Sequence, residues 1–356
     1  MKKALVFLLI LHNSLQSQEL SEQEQMQIDF AIDLFYADGS KIFVDGPLYY
    51  TKKTVDTPLF LAQLPPKQVL KNTLAAYGEI AKLEFDGEGM MHSLNVVATL
   101  ENIDWPLPEL FQISLVGNKL LDAQGQAVAL NDQISTSHTY FTQTQHENGE
   151  NKIYKTLQLS SGMFFTEDHV DTPKGDLSFQ LDLISGYETV KIGPQDTGKK
   201  FSFLGVDYTV IGIRNNYVII HPDHYDHEKG FPFKVMHLDT SNKAQFTELS
   251  YDEIEARKEA GEVFDNDVLG MGTGMLSIPQ NMYKIFESEP KISKADFKKK
   301  AMPLLLASLA VIGDAPKMAE ILGPTYIVIQ DLAPIEQLYL YAPKSTESLT
   351  ITKALQ

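Results

Sequence analysis

The sequence predicts a mainly β protein: two tandem immunoglobulin-like β-sandwich domains, with a helical segment inserted in or appended to the second. Three observations lead there. The segment 48–58, Leu-Tyr-Tyr-Thr-Lys-Lys-Thr-Val-Asp-Thr-Pro, returns 115 residues later at 163–173 as Met-Phe-Phe-Thr-Glu-Asp-His-Val-Asp-Thr-Pro, with five identities and three conservative changes. Short β-branched or aromatic runs at 177–184, 188–192, 201–204, 208–213 and 217–221 are punctuated by Gly, Pro and Asn, the grammar of successive antiparallel strands. From 250 onward the apolar period changes from two to 3.6, which predicts helices. A 115-residue repeat is close to the roughly 100 residues of an immunoglobulin-type sandwich and longer than any common solenoid unit. The expected organisation is an export signal at 1–17, a first sandwich at 18–136, a second at 137–249 with 324–356, and helices at 250–323.

A chain of 356 residues is longer than one core sustains, and 43% apolar content supplies material for two, so bulk disorder is excluded. The formal net charge of −17 repels phosphate backbones and anionic headgroups. That excludes nucleic acid and leaves a protein partner or a neutral or cationic ligand. Met1-Lys-Lys followed by the apolar run 4–11 and the small, polar stretch 13–17 reads as a secretory signal peptide, so the protein is expected in the periplasm or outside the cell. There is no cysteine, and an exported chain of this size can rely on its core without disulfides. Beyond the leader no apolar run approaches the roughly 18 residues of a membrane span.

In chain order, 28–36 alternates well enough for a strand, and Asp38-Gly39 is a hairpin-turn dipeptide joining it to 41–44,. Pro66 can occupy the first turn of a helix over 65–81, with Val69, Leu70, Leu74 and Tyr77 on one face,. Strands follow at 82–85, 94–100 and 110–115, with a turn at Asp122-Ala-Gln-Gly125,. Trp105, the single tryptophan, reads as a core plug at a domain edge, with ligand stacking as the alternative,. Asn148-Gly149 joins 139–145 to 153–159 as a second hairpin, matching the one before the first echo,. Ser250-Tyr-Asp-Glu253 is a capping box for a helix that Gly261 stops,. Gly270, Gly272 and Gly274 mark a turn, Pro303 starts or kinks a helix containing the apolar run 304–312, and Gly323 closes a helix over 316–322,. Strands at 326–330, 336–341 and 348–353 finish the chain. Lys298-Lys-Lys300 reads as one solvated helix face,.

The densest chemistry is His221-Pro-Asp-His224-Tyr-Asp226-His227, where a strand runs into a turn. Neutral imidazoles and carboxylates are ligands for divalent ions, Zn above all, so His221, His224, Asp226 and His227 are the candidate metal ligands, with Asp223 and His237 nearby. The stretch 217–230 resembles the first metal-binding motif of the metallo-β-lactamase family, a hydrophobic strand and then HxHxDH with Gly soon after. Pro222 stands where that motif has its first His, and downstream only His237 remains. The resemblance therefore implies local metal chemistry and not membership. Neither a GxSxG elbow nor an HExxH pair occurs, and no thiol nucleophile exists,. The expectation is an exported, non-enzymatic binding or envelope-interaction protein; the alternative is a Zn-dependent hydrolase using the HPDHYDH cluster, whose ion would activate water.

Overall fold

The computed structural model describes residues 22–41, 50–55, 57–86, 93–131, 133–147, 150–165, 173–214, 216–224, 230–249, 252, 255–256, 259–261, 274–311, 315–331 and 333–355. The protein is mainly β, with 48% of residues in strands against 27% in helices, arranged as three antiparallel sheets and no barrel. Contacts divide the chain into two units, one of residues 1–61 and 188–342, the other of 62–187 and 343–356. The boundary expected at 136/137 falls inside the second unit, within a strand.

The first unit is organised around a five-stranded sheet of order β13-β14-β10-β9-β8, made of β8 (Lys200–Phe203), β9 (Val206–Arg214), β10 (Tyr217–Pro222), β13 (Gly274–Pro279) and β14 (Thr325–Gln330). Alternation along β10 sends Tyr217 and Ile219 to one face, and Val218 and Ile220 to the other,. All four are buried. The first face is covered by α1 (Glu22–Lys41), α4 (Gln280–Ser288) and α5 (Lys294–Leu309), through Ile28, Ile32, Phe286, Phe297 and Leu305. The other face packs on Leu338, Leu340 and Ala342 from the start of β15 (Gln337–Leu355), with Phe233 and with Ile192 at the end of β7 (Lys174–Ile192). β15 also pairs with β11 (Lys234–Leu238); β12 (Ala244–Leu249) and β1 (Tyr50–Val55) continue that sheet.

The second unit holds a four-stranded sheet of order β2-β3-β6-β5, formed by β2 (Lys82–Asp86), β3 (Ser93–Glu101), β5 (Ser135–Glu147) and β6 (Glu150–Phe164). It also contains α2 (Lys67–Ile80), α3 (Leu107–Leu110) and β4 (Phe111–Leu121), which pairs with the first part of β7. Pro66 precedes α2, and Leu70, Thr73, Leu74 and Tyr77 form its buried stripe, close to the expected face. The β5–β6 hairpin forms with Glu147 opposite Glu150, so the Asn148-Gly149 signal finds its strands. The Asp122 turn also forms: its carboxylate accepts from Gln124 N and Gln126 N at 2.9 and 2.7 Å, and Gly125 adopts φ 79°.

Residues 42–44 lie outside the described residues, and the strand expected at 28–36 and the turn expected at Asp38-Gly39 are instead part of the helix α1. Its buried residues Ile28, Ala31 and Ile32, with Phe35 and Tyr36 against the same core, carry the helical spacing of three and four. Gly39 is a packing residue within that helix, because a Cβ there would overlap the ring of Phe286. The hairpin match ahead of the two echo segments is therefore absent. Tyr50 opens β1 in one unit, while Phe164 ends β6 in the other. Asp56 and residues 166–172 lie outside the described residues, as does the leader at 1–17. Pro58 and Pro173 both stand outside the strand ladders, where the missing N–H costs nothing.

The helical segment is shorter than expected, since Gly274–Pro279 is an edge strand paired with β14. The capping-box helix near 250 and the remaining glycines of the turn lie largely outside the described residues. Ser293 caps α5, its Oγ accepting from Asp296 N at 3.1 Å, and Pro303 sits inside that helix without ending it. Gly323 follows α6 (Ala315–Leu322) at φ 75°. The lysine triplet is paired and not merely solvated: Lys298 reaches Asp29 at 2.8 Å, Lys299 reaches Asp296 at 2.9 Å, and Lys300 meets Glu289. The hydrogen bond from Lys298 holds the Asp29 carboxyl below its ordinary value.

Gly39→Ala is expected to destabilise the protein, although in an exposed helix the same change stabilises by about 1 kcal/mol. Phe286 is fully buried and stacked on Phe297 at 4.5 Å, so it has nowhere to move. Phe286→Ala is expected to cost about 3–5 kcal/mol. Chemical denaturation of each variant measures both.

Candidate functional site

Of the four candidate metal ligands, the structure describes two. His221 is half-buried in β10, opposite Thr209, with its ring edge-on to Tyr326 at 5.9 Å. His224 is exposed, as is Asp223, whose N–H donates to Asp207 O at 2.8 Å. Asp226 and His227 lie outside the described residues. Among the described residues no group of three or more His, Asp or Glu is placed to hold a metal.

His237 has a different role from the one its position in sequence suggests. It is buried in β11, its Nδ1 3.0 Å from Asp331 Oδ2, and its Nε2 accepts the Glu336 N–H at 3.0 Å. Because Nε2 is an acceptor, the ring proton sits on Nδ1 and is donated to the aspartate. Asp331 Oδ1 in turn accepts from Ala333 N at 3.1 Å. A buried Asp–His pair is the base-orienting half of a hydrolytic triad. Here both ring nitrogens are spent within the fold, so the imidazole has no free lone pair for a substrate. It ties Asp331 and Glu336 to β11.

A groove of about 580 Å³ lies in the second unit between α2 and the end of β3. Helix α2 is the reason it exists. One stripe, Leu70, Thr73, Leu74 and Tyr77, is buried; the adjoining residues Val69, Ala76 and Ile80 face the groove, with Thr73 at its floor, as the helical repeat requires. Val69 and Ile80 are each 39% exposed, so this second apolar stripe is open to solvent. The opposite wall is Thr99 to Glu101 of β3 and the following 102–105 segment. Asn102 reverses the chain there with φ 56°, a region Asn tolerates, and its N–H donates to Lys155 O at 2.9 Å. Leu107 N bonds Trp105 O at 2.7 Å, starting α3. Trp105 is half-buried and lines the groove, so it is not a core plug.

Polar groups in the lining are Asn72, Thr73, Thr99 and Asn102, and its charged groups are Glu101 and Asp104; among the described residues no Lys, Arg or His lines it. The arrangement suits a ligand with an apolar body and either no charge or a positive one. The apolar spacing of the sequence sets Val69 on the core face with Leu70, Leu74 and Tyr77; in the structure it stands exposed beside Ala76 and Ile80, and this second stripe is what the sequence reading missed. No protein-family model matches the chain, and no curated protein or solved structure matches it significantly.

His237→Ala removes the donor to a buried carboxylate and is expected to cost about 3–5 kcal/mol. His224→Ala, at an exposed position, is expected to stay within about 0.5 kcal/mol. Parallel denaturant titrations compare the two.

Proposed function

We propose that this chain is an exported, non-enzymatic binding protein whose ligand seat is the groove between α2 and β3. One observation carries the reading: the stripe Val69, Ala76 and Ile80, with Trp105 opposite, leaves an open apolar surface whose charged lining residues are all acidic. Such concave, mostly apolar sites with a few placed polar groups are where small molecules bind. The ligand is neutral or cationic, as the −17 formal charge of the chain also favours,. Export rests on the basic start and apolar run of the first 17 residues,. The finer expectation of two tandem immunoglobulin-like sandwiches is supported by the echo of 48–58 at 163–173 and by the β5–β6 hairpin. The helix α1 where the matching hairpin would be counts against it. The binding reading stands without it.

Trp105 is the chain's single tryptophan, so its emission reports on the groove without interference. Titration with benzyltrimethylammonium is expected to give a saturable change in emission, and titration with benzenesulfonate none. Ala76→Phe, which fills the groove, is expected to abolish the response, and Glu101→Gln with Asp104→Asn to weaken it by about tenfold, or about 1.4 kcal/mol. Equal binding of the anion, or no saturable response to either probe, would overturn the assignment.

A further inference from the structure

We propose that the outer edge of β5 docks against the same edge of a second copy of this chain, joining two four-stranded sheets into one. β5 is the last strand in the order β2-β3-β6-β5 and runs from Ser135 to Glu147, about twice the usual strand length. Which of its backbone groups are free follows from the ladder. Asn102 N donates to Lys155 O on the β3 side of β6. In an antiparallel ladder the bonding direction alternates, so Thr156, Gln158 and Ser160 point toward β5. Their partners there are Phe141, Thr139 and Ser137. Two long side-chain contacts agree, Thr156 Oγ1 to Phe141 O and Ser137 Oγ to Ser160 O, each at 3.5 Å. Thr136, His138, Tyr140 and Thr142 therefore direct N–H and C=O away from β6. No described strand takes them up, and residues 135–142 are exposed.

The two edges of this sheet are treated differently by the sequence. β2 is a five-residue edge, Lys-Leu-Glu-Phe-Asp, three of whose residues are charged, which is how natural edges discourage pairing. From Ser135 to His146, β5 has no Asp, Glu, Lys, Arg, Pro or Gly. It is an edge without protection.

A second copy is the occupant that fits. A two-fold axis perpendicular to the sheet pairs residues of like parity, and an axis at Tyr140 sets Tyr140 against its own mate and His138 against Thr142. Outward-pointing groups then meet outward-pointing groups along the whole ladder. No like charges oppose each other, although the chain carries −17. The Tyr140 pair on the axis adds an aromatic cross-strand contact to the ladder. Tyr140 and Phe141 are 49% and 46% exposed, so both are available to it.

Sedimentation velocity of the full chain from about 1 to 100 μM, the range of modest interfaces, is expected to show a reversible dimer. Tyr140→Lys sets two like charges across the axis and is expected to give monomer with an unchanged circular dichroism spectrum. Tyr140→Glu alone is expected to do the same, and an equimolar mixture of the Lys and Glu variants to restore the dimer. His138→Pro removes an outward N–H without touching the β5–β6 ladder, and is also expected to yield a folded monomer. A wild-type chain monomeric throughout, whether or not it captures a strand of some other protein, overturns the proposal. So does a dimer indifferent to both Tyr140→Lys and His138→Pro.

Discussion

The five-stranded sheet of the first unit must be buried on both faces, and most of that unit follows from this constraint. Val218, Ile220, Ile327 and Ile329 belong to one cluster, and Tyr217, Ile219, Tyr326 and Val328 to the other. Burying each such side chain is worth about 1.5–3 kcal/mol, and leaving either face open would forfeit several of them. One face needs helices, and they come from far apart in the chain. α1 begins at Glu22 and α4 starts at Gln280, so this core closes only when the two ends of the unit have met. The apolar run after Pro303 is explained by the same demand. Leu305 is buried in the helix-side cluster and Leu304 lies against it, while Leu306 stays 37% exposed.

Much of this was legible locally. Period-two runs placed β3, β9, β10 and β14, Pro66 placed the start of α2, and Gly323 placed the end of α6, because each depends on neighbouring residues alone. The region 28–44 was misread for an identifiable reason. Asp38-Gly39 is a strong hairpin signal, yet the glycine is there to let α1 approach Phe286, a constraint imposed by a residue almost 250 positions away in sequence. The echo at 48–58 and 163–173 fails as a guide for a related reason. β1 pairs with β12, Tyr50 opposite Leu249, whereas the end of β6 pairs with β3, Phe164 opposite Ser93. Strand partners are long-range facts that local similarity does not carry.

The candidate site shows how imidazoles mislead when read by density. Four histidines between 221 and 237 look like one centre. Of the three described, alternation in β10 turns His221 toward Tyr326, His224 is left in solvent, and His237 is withdrawn into a buried brace. The groove was harder to see because its residues are unremarkable singly. A valine, an alanine and an isoleucine on α2 mean little until the helix is turned so that Leu70, Leu74 and Tyr77 face inward. The remaining apolar stripe then has no core to enter,.

A chain at −17 repels copies of itself and anything acidic, so association requires places where that field is locally absent or turned to advantage. The first unit gathers buried apolar side chains in the two clusters that flank its central sheet and leaves Met26 and Phe30 exposed on α1. In the second unit the groove keeps Glu101 and Asp104 beside its apolar wall, the feature on which the proposed preference for a cation rests. The β5 edge does the opposite: it drops charge over twelve successive residues, Ser135 to His146, and offers hydrogen-bonding groups that the field does not affect. On the two proposals together, an acidic chain rejects most encounters and admits two, one by complementarity of charge and one by its absence.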